Sequence, residues 1–136
     1  MIVVDTGVLY SFYVANDPNH GRAAELFQGA EQNLVVSPYV IAELDYFLVS
    51  RIGVAAELAV IEDLCAGGFE LPTLTPADVL TCQRILAARA DHPIGLTDAS
   101  LVVLADRYRT RKIATFDRRH FTILQSLDGA PFELLP

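Results

Sequence analysis

Met1-Ile2-Val3-Val4-Asp5-Thr6-Gly7 is the stretch whose reading decides the fold. Three apolar residues, two of them adjacent valines, read as a short buried strand. The strand stops on a carboxylate, followed by a hydroxyl and a glycine, and a new apolar run from Val8 to Val14 reads as a helix. In an open parallel sheet the ligand crevice lies beyond the carboxyl ends of the strands. Asp5 is therefore aimed at a site rather than at bulk solvent, and the question is whether the chain sends other acids to the same edge.

Outward from that stretch, strands alternate with helical segments. Asn16-Asp17-Pro18-Asn19 is a turn, and a helix is expected from about His20 to Gln32. Leu34-Val35-Val36 is a second buried strand. Ser37-Pro38 then pairs a side-chain N-cap with proline at the first helical position, opening a helix that runs through Val49. A further helix spans Val54 to Ala66 and closes on Gly67-Gly68, ahead of a weak strand, Phe69-Glu70-Leu71. Thr75 and Asp78 form a capping pattern that opens a helix to about Ala90. After a loop at 91–96, Thr97-Asp98 starts another helix. Lys112 to Phe116 is a strand ending on Asp117, and Phe132-Glu133-Leu134 a last one. The alternation predicts a three-layer α/β/α sandwich around a central parallel β-sheet, as one domain over residues 1–136.

Composition bounds the functional classes. A chain of 136 residues with 52% hydrophobic and 20% charged residues can bury a core without disulfides or a structural metal. No apolar run approaches the roughly 20 residues of a membrane span, and the N-terminus resembles no secretory signal, so the chain reads as cytoplasmic. Cys65 and Cys82 lack CxxC spacing and read as buried free thiols. The net charge of −7 argues against a nucleic-acid partner until its distribution is considered. Six of the ten basic residues, Arg107, Arg109, Arg111, Lys112, Arg118 and Arg119, fall between positions 107 and 119, leaving +5 there and −12 elsewhere. That predicts a basic patch on an acidic protein, suited to phosphate contacts; a solvated helix end complementing the helix dipole is the alternative for Arg107, Arg109 and Arg111.

Four acids stand out. Asp5 and Asp117 each follow a buried strand and would face one crevice if those strands are neighbours. Glu43 sits on a helix that is apolar almost all round, where an unpaired carboxylate is costly. Asp98 lies in a first helical turn on the stripe of Leu101, Ala105 and Tyr108. Each alone fits a cap, a turn or a solvated helix acid. Together they form a cluster that repels itself unless protonated or bound to a cation, and oxygen-only ligands favour Mg2+ or Mn2+ over zinc. Thr6, Thr97 and Thr115 each lie within two residues of one of these acids and are candidates to hydrogen-bond them, with capping as the alternative. His20, His92 and His120 are too scattered to be a ligand set, and His120, beside Arg118 and Arg119, reads as a surface residue with a substrate contact as the alternative.

Val3-Val4-Asp5-Thr6, Ser37 to Leu44, Gly95-Leu96-Thr97-Asp98-Ala99-Ser100 and Ala114 to Phe121 resemble the acidic motifs of PIN-domain ribonucleases, and more narrowly of the VapC toxins. The resemblance spans nearly the whole chain in the right order, with Gly7 standing where many relatives carry Asn, Ser or Ala. It implies that Asp5, Glu43, Asp98 and Asp117 are metal-binding catalytic acids of an endoribonuclease that uses Mg2+ or Mn2+. It also implies structured RNA as substrate (transfer or ribosomal), a homodimer, and a cognate VapB antitoxin whose C-terminal segment lies along the groove. Phe12, Tyr13, Tyr46 and Phe47 are candidates for the apolar surface this needs, with a place in the core as the equal alternative for each. Arg109, Arg111, Arg118 and Arg119 are candidates for holding the RNA backbone.

Rival readings are weaker. Asp5-Thr6-Gly7 is the tripeptide of aspartic proteases, but that site belongs to an all-β fold. A phosphorylation receiver needs a second acid beside Asp5 and a lysine ending a later strand, and neither is present. A catalytically inert PIN-like binding module has no use for four mutually repelling carboxylates.

Overall fold

β1 (Ile2–Val4) lies in the middle of the sheet, with all three apolar side chains buried. The computed structural model describes residues 1–30 and 33–136. β2 (Leu34–Val36) and β4 (Lys112–Ala114) pair with β1 on either side, β3 (Phe69–Glu70) lies outside β2, and β5 (Glu133–Leu135) outside β4. Every pairing is parallel. Crossovers run first from β1 toward β3 and then back toward β5, so right-handed connections put helices on both faces. The expected three-layer sandwich is the fold found.

The helices among the described residues are α1 (Thr6–Tyr13), α2 (His20–Gly29), α3 (Pro38–Arg51), α4 (Val54–Leu64), α5 (Pro76–Ala87), α6 (Leu96–Arg107) and α7 (Arg118–Ile123). α6 is the central one: every residue from Ala99 to Ala105 is buried, as expected of a helix covered on all sides. It packs on α5 through Cys82, Ala99 and Val103. α3 buries only Val40, Leu44 and Leu48, one stripe at helical spacing. Ile41 is partly buried against the core and Phe47 meets Tyr10, whereas Tyr46 is 65% and Val49 40% exposed, so the helix is one-sided rather than buried all round. Both expected caps form: Ser37 accepts from Tyr39 N, and Thr75 with Asp78 makes the full capping box.

Several expectations are corrected. α2 ends at Gly29, while its expected end at Gln32 lies outside the described residues. α4 and α5 stop short of Ala66 and Ala90. Cys82 is buried, but Cys65 is exposed because it caps the end of α4. β4 stops at Ala114 rather than running to Phe116. Thr115 N still reaches Leu135 O at 2.8 Å, but the Thr115 hydroxyl then accepts from Asp117 N at 3.0 Å and turns the chain into α7, a helix the sequence pattern did not single out. Among the described residues no helix is long and apolar enough to cross a membrane.

Candidate functional site

The acids meet where the topology sends them. β1 and β4 are neighbours, so Asp5 and Asp117 emerge from the same edge of the sheet. Asp5 caps α1 and is 8% exposed, with its carboxylate fixed at both oxygens: Thr6 N donates to Oδ1 at 2.7 Å and Thr115 Oγ1 to Oδ2 at 2.7 Å. Asp98 enters from the first turn of α6, which starts at Gly95 with φ 104°, a left-handed conformation that favours glycine. Glu43 comes from the partly exposed side of α3. All four carboxylates line one open cavity of about 910 Å³, together with Thr6, Gly7, Phe47, Phe116, Arg119 and His120.

The anchoring of the helices around this cavity is polar and buried. Ser37 Oγ, at the start of α3, lies 2.8 Å from Ser100 Oγ on α6, and the Ser100 hydroxyl is 2.6 Å from Thr97 O. This pairing ties together the two helices that carry Glu43 and Asp98. Among the threonines, Thr115 supports Asp5 through its hydroxyl, Thr6 through its backbone N–H, and Thr97 supplies its carbonyl to Ser100. The Thr6 hydroxyl is buried with no hydrogen-bond partner among the described residues, an orphan beside the acids.

Electrostatics make the cluster costly. Burial pushes the Asp5 carboxyl up; the hydrogen bonds from Thr115 and Thr6 oppose this, and the like charges of Glu43 and Asp117 add to it. Burial likewise pushes Asp98 up to about 6, helped by Asp5 and Asp117 and opposed by His120. The sequence reading missed that His120 meets the acids. His120 is no surface residue: its Nδ1 lies 2.6 Å from Asp98 Oδ2 and 3.5 Å from Asp117 Oδ2. Its position one turn along a helix opened by Asp117 was the available signal.

The donor set fits a hard divalent cation: four oxygen-bearing acids, two with raised proton affinity, and an orphaned hydroxyl beside them. Among the described residues, no three His, Cys, Asp or Glu side chains are drawn to a single point. The Asp5 oxygens are turned to Thr6 and Thr115, and an Asp98 oxygen to His120. The carboxylates share a cavity without being closed around a common centre.

The basic run divides. β4 carries the chain roughly 10 Å across the sheet, so residues before and after it lie at opposite ends. Arg109, Arg111 and Lys112 line a separate cavity of about 630 Å³ with Asp106, Asp128 and Glu133. Arg111 is paired with Asp128 at 2.8 Å, and Arg107 with Asp78 at 2.5 Å. Arg109 sits at φ 52° because it ends α6: its N–H bonds Asp106 O, and Thr110 N bonds Ala105 O. Arg118 donates to Pro136 O at 2.7 Å, which leaves Arg119 as the member of the run lining the acid cavity. The sequence expectation of one basic patch is therefore corrected. What it missed is Arg22 over the Phe116 ring (5.1 Å to the centroid) and Arg51 over the Phe47 ring (4.3 Å), because neither lies near a basic run.

Comparison with known proteins agrees with the fold. A family model described as the PIN domain matches residues 2–124. Ribonuclease VapC26 of Mycobacterium tuberculosis is 44% identical over 135 residues, covering 99% of this chain and 100% of that protein. Among solved structures, M. tuberculosis VapC20, described as a sarcin-ricin loop cleaving toxin, matches with TM-score 0.84 at 20% identity, over 90% of this chain and 95% of that one. VapBC2 of Rickettsia felis, bound to a promoter DNA fragment, matches with TM-score 0.71 at 15% identity over 100% of both chains. At such identities the structural likeness speaks for the fold.

Proposed function

The chain belongs to the PIN-domain family, among the VapC ribonucleases, and from that premise we propose that it is a metal-dependent endoribonuclease, the toxin of a toxin-antitoxin pair. Its substrate is structured RNA, a transfer or ribosomal RNA, and cleavage leaves a 5′-phosphate and a 3′-hydroxyl. The observation that carries this reading is the convergence of Asp5, Glu43, Asp98 and Asp117, from four different elements, on one open cavity.

These four residues are the ones that would hold Mg2+ or Mn2+, one ion or two. When bound, the metal supplies Lewis acidity that makes a water nucleophilic and steadies the leaving oxygen. The chain's own part is to hold the carboxylates in place and charged. The Thr115 hydroxyl donates to Asp5 and accepts from Asp117 N, so one side chain fixes both strand-end acids. His120 holds Asp98 through Nδ1. Arg119, at the cavity wall, is placed to meet a phosphate.

A VapB-type antitoxin is the proposed partner, with homodimerisation of the chain, which acts as a single PIN domain over residues 1–136. Of the four aromatic candidates for docking, Phe12 and Tyr13 pack against the core and Phe47 lines the acid cavity, whereas Tyr46 is exposed. Ile52, Val54, Leu58 and Ile61 of the α3–α4 pair are exposed as well. They form an apolar surface of the kind partners cover.

The test is cleavage of total RNA with Mg2+ or Mn2+ by wild type, Asp5→Asn and Asp98→Asn, with circular dichroism confirming the fold. The expected result is cleavage by the wild type and its loss in both variants. Undiminished cleavage by either variant overturns the assignment, and RNA binding without cleavage by the wild type points to an inert binding module.

A further inference from the structure

An acidic cavity on a chain of net charge −7 repels the polyanion it is proposed to cut. Cations must therefore stand at its walls. The run at 107–119 supplies only Arg119 there. The two phenyl rings lining the cavity are each covered by an arginine that belongs to no basic run: Arg51 of α3 over Phe47, and Arg22 of α2 over Phe116. Each ring adjoins an acid, Phe47 one helical turn beyond Glu43 and Phe116 immediately before Asp117.

Arg51 also lies 5.3 Å from the centroid of Tyr10, and Tyr10 meets Phe47 edge-on at 6.3 Å, so the guanidinium is held against a two-ring platform. It is exposed and has no carboxylate partner among the described residues. Arg22 is exposed too, and among the described residues its side chain makes one hydrogen bond, a long 3.5 Å contact to Pro136 O. A guanidinium stacked on an aromatic face keeps its charge and most of its N–H edge available while losing side-chain freedom in advance. Such a group meets a phosphate at little further entropic cost.

We propose that Arg22 and Arg51, held over Phe116 and Phe47, join Arg119 in positioning the RNA backbone, standing at the rim of the acid cavity behind two of its lining rings. The inference rests on the ribonuclease reading. It transfers that role from Arg109 and Arg111, which the fold carries to the far end of β4.

The experiment is binding of a short fluorescein-labelled oligouridylate in chelator at low salt, followed through a salt titration. Wild type is compared with Arg22→Ala, Arg51→Ala, the double variant, Arg51→Lys, and Arg111→Ala as the control from the far cavity. All of these positions are exposed, so the fold is not at stake. Each Ala variant is expected to lower the slope of log K against log salt by about 0.7, one single-strand phosphate contact, and the double variant to bind about tenfold more weakly. Arg51→Lys keeps the slope but loses affinity, because an ammonium does not stack as the planar group does. Arg111→Ala behaves as wild type.

Unchanged slopes in the Ala variants, an equal drop in Arg111→Ala, or no saturable binding by the wild type overturns the proposal. Cleavage separates the two readings. Arginine-dependent binding by a wild type that cuts no RNA with Mn2+ leaves the clamp standing and removes the ribonuclease. RNA cutting with the double variant matching wild type in KM does the reverse.

Discussion

Replacing Asp98 with Asn in metal-free protein is expected to stabilise the fold at neutral and higher pH, although it changes a residue proposed to be essential for activity. The Asp98 side chain is 14% exposed, and burial with the charges of Asp5 and Asp117 pushes its carboxyl up to about 6 from an ordinary value of 3.8. Between those two values the folded chain keeps a proton that the unfolded chain has released. Unfolding free energy therefore falls as pH rises through that window. Below pH 3.8 the carboxyl is protonated in both states and contributes nothing; above about 6 the whole cost is present. The rise corresponds to about 3 kcal/mol. Asn carries no charge and can still accept from His120 Nδ1. The variant should thus be up to about 3 kcal/mol more stable at pH 8, roughly 10 °C in Tm for a chain of this size, with the advantage fading toward pH 4.

Urea unfolding of both proteins in chelator, from pH 4 to pH 8, reads this difference directly, and subtracting the two curves removes the contribution of every group they share. Millimolar Mn2+ should then raise the wild type more than the variant, by about 2.7 kcal/mol at a hundred times the dissociation constant. A variant no more stable than the wild type at pH 8, or a difference that does not change with pH, refutes the claim that the cavity holds Asp98 ionised at a cost.

Two further substitutions test the neighbouring parts of the argument. Thr115→Val removes the hydroxyl that donates to Asp5 Oδ2 and accepts from Asp117 N; it should cost about 1–3 kcal/mol, raise the proton affinity of Asp5 further and move the acid limb of the cleavage profile to higher pH, and a pH–rate profile identical to wild type counts against the role given to Thr115. Leu101→Ala, at a fully buried position of α6, should cost about 2–5 kcal/mol in urea unfolding through the cavity it leaves, and a negligible loss would mean that α6 is not the packed centre described.

What was legible in the sequence was what short-range chemistry encodes. Alternation of apolar runs with capped helices specified a parallel α/β sheet, because strand length, N-caps such as Ser37 and Thr75, and glycine stops act within a few residues. The gathering of the acids followed with no knowledge of contacts. A parallel sheet aligns the carboxyl ends of its strands, so an acid placed just beyond a strand, as Asp5 and Asp117 are, has its destination set by topology. Only the tertiary structure decided which side chains meet across long separations. His120 reaches back 22 residues to Asp98, and Arg22 lies over a ring 94 positions further along the chain. The basic run shows the converse: Arg111 and Arg118 are close in sequence, yet a strand running the width of the sheet sets them at opposite ends. Proximity along the chain predicts proximity in space within a turn of helix. Across an intervening strand it predicts separation: of the run only Arg119 lines the acid cavity, and the arginines over its two phenyl rings come from α2 and α3.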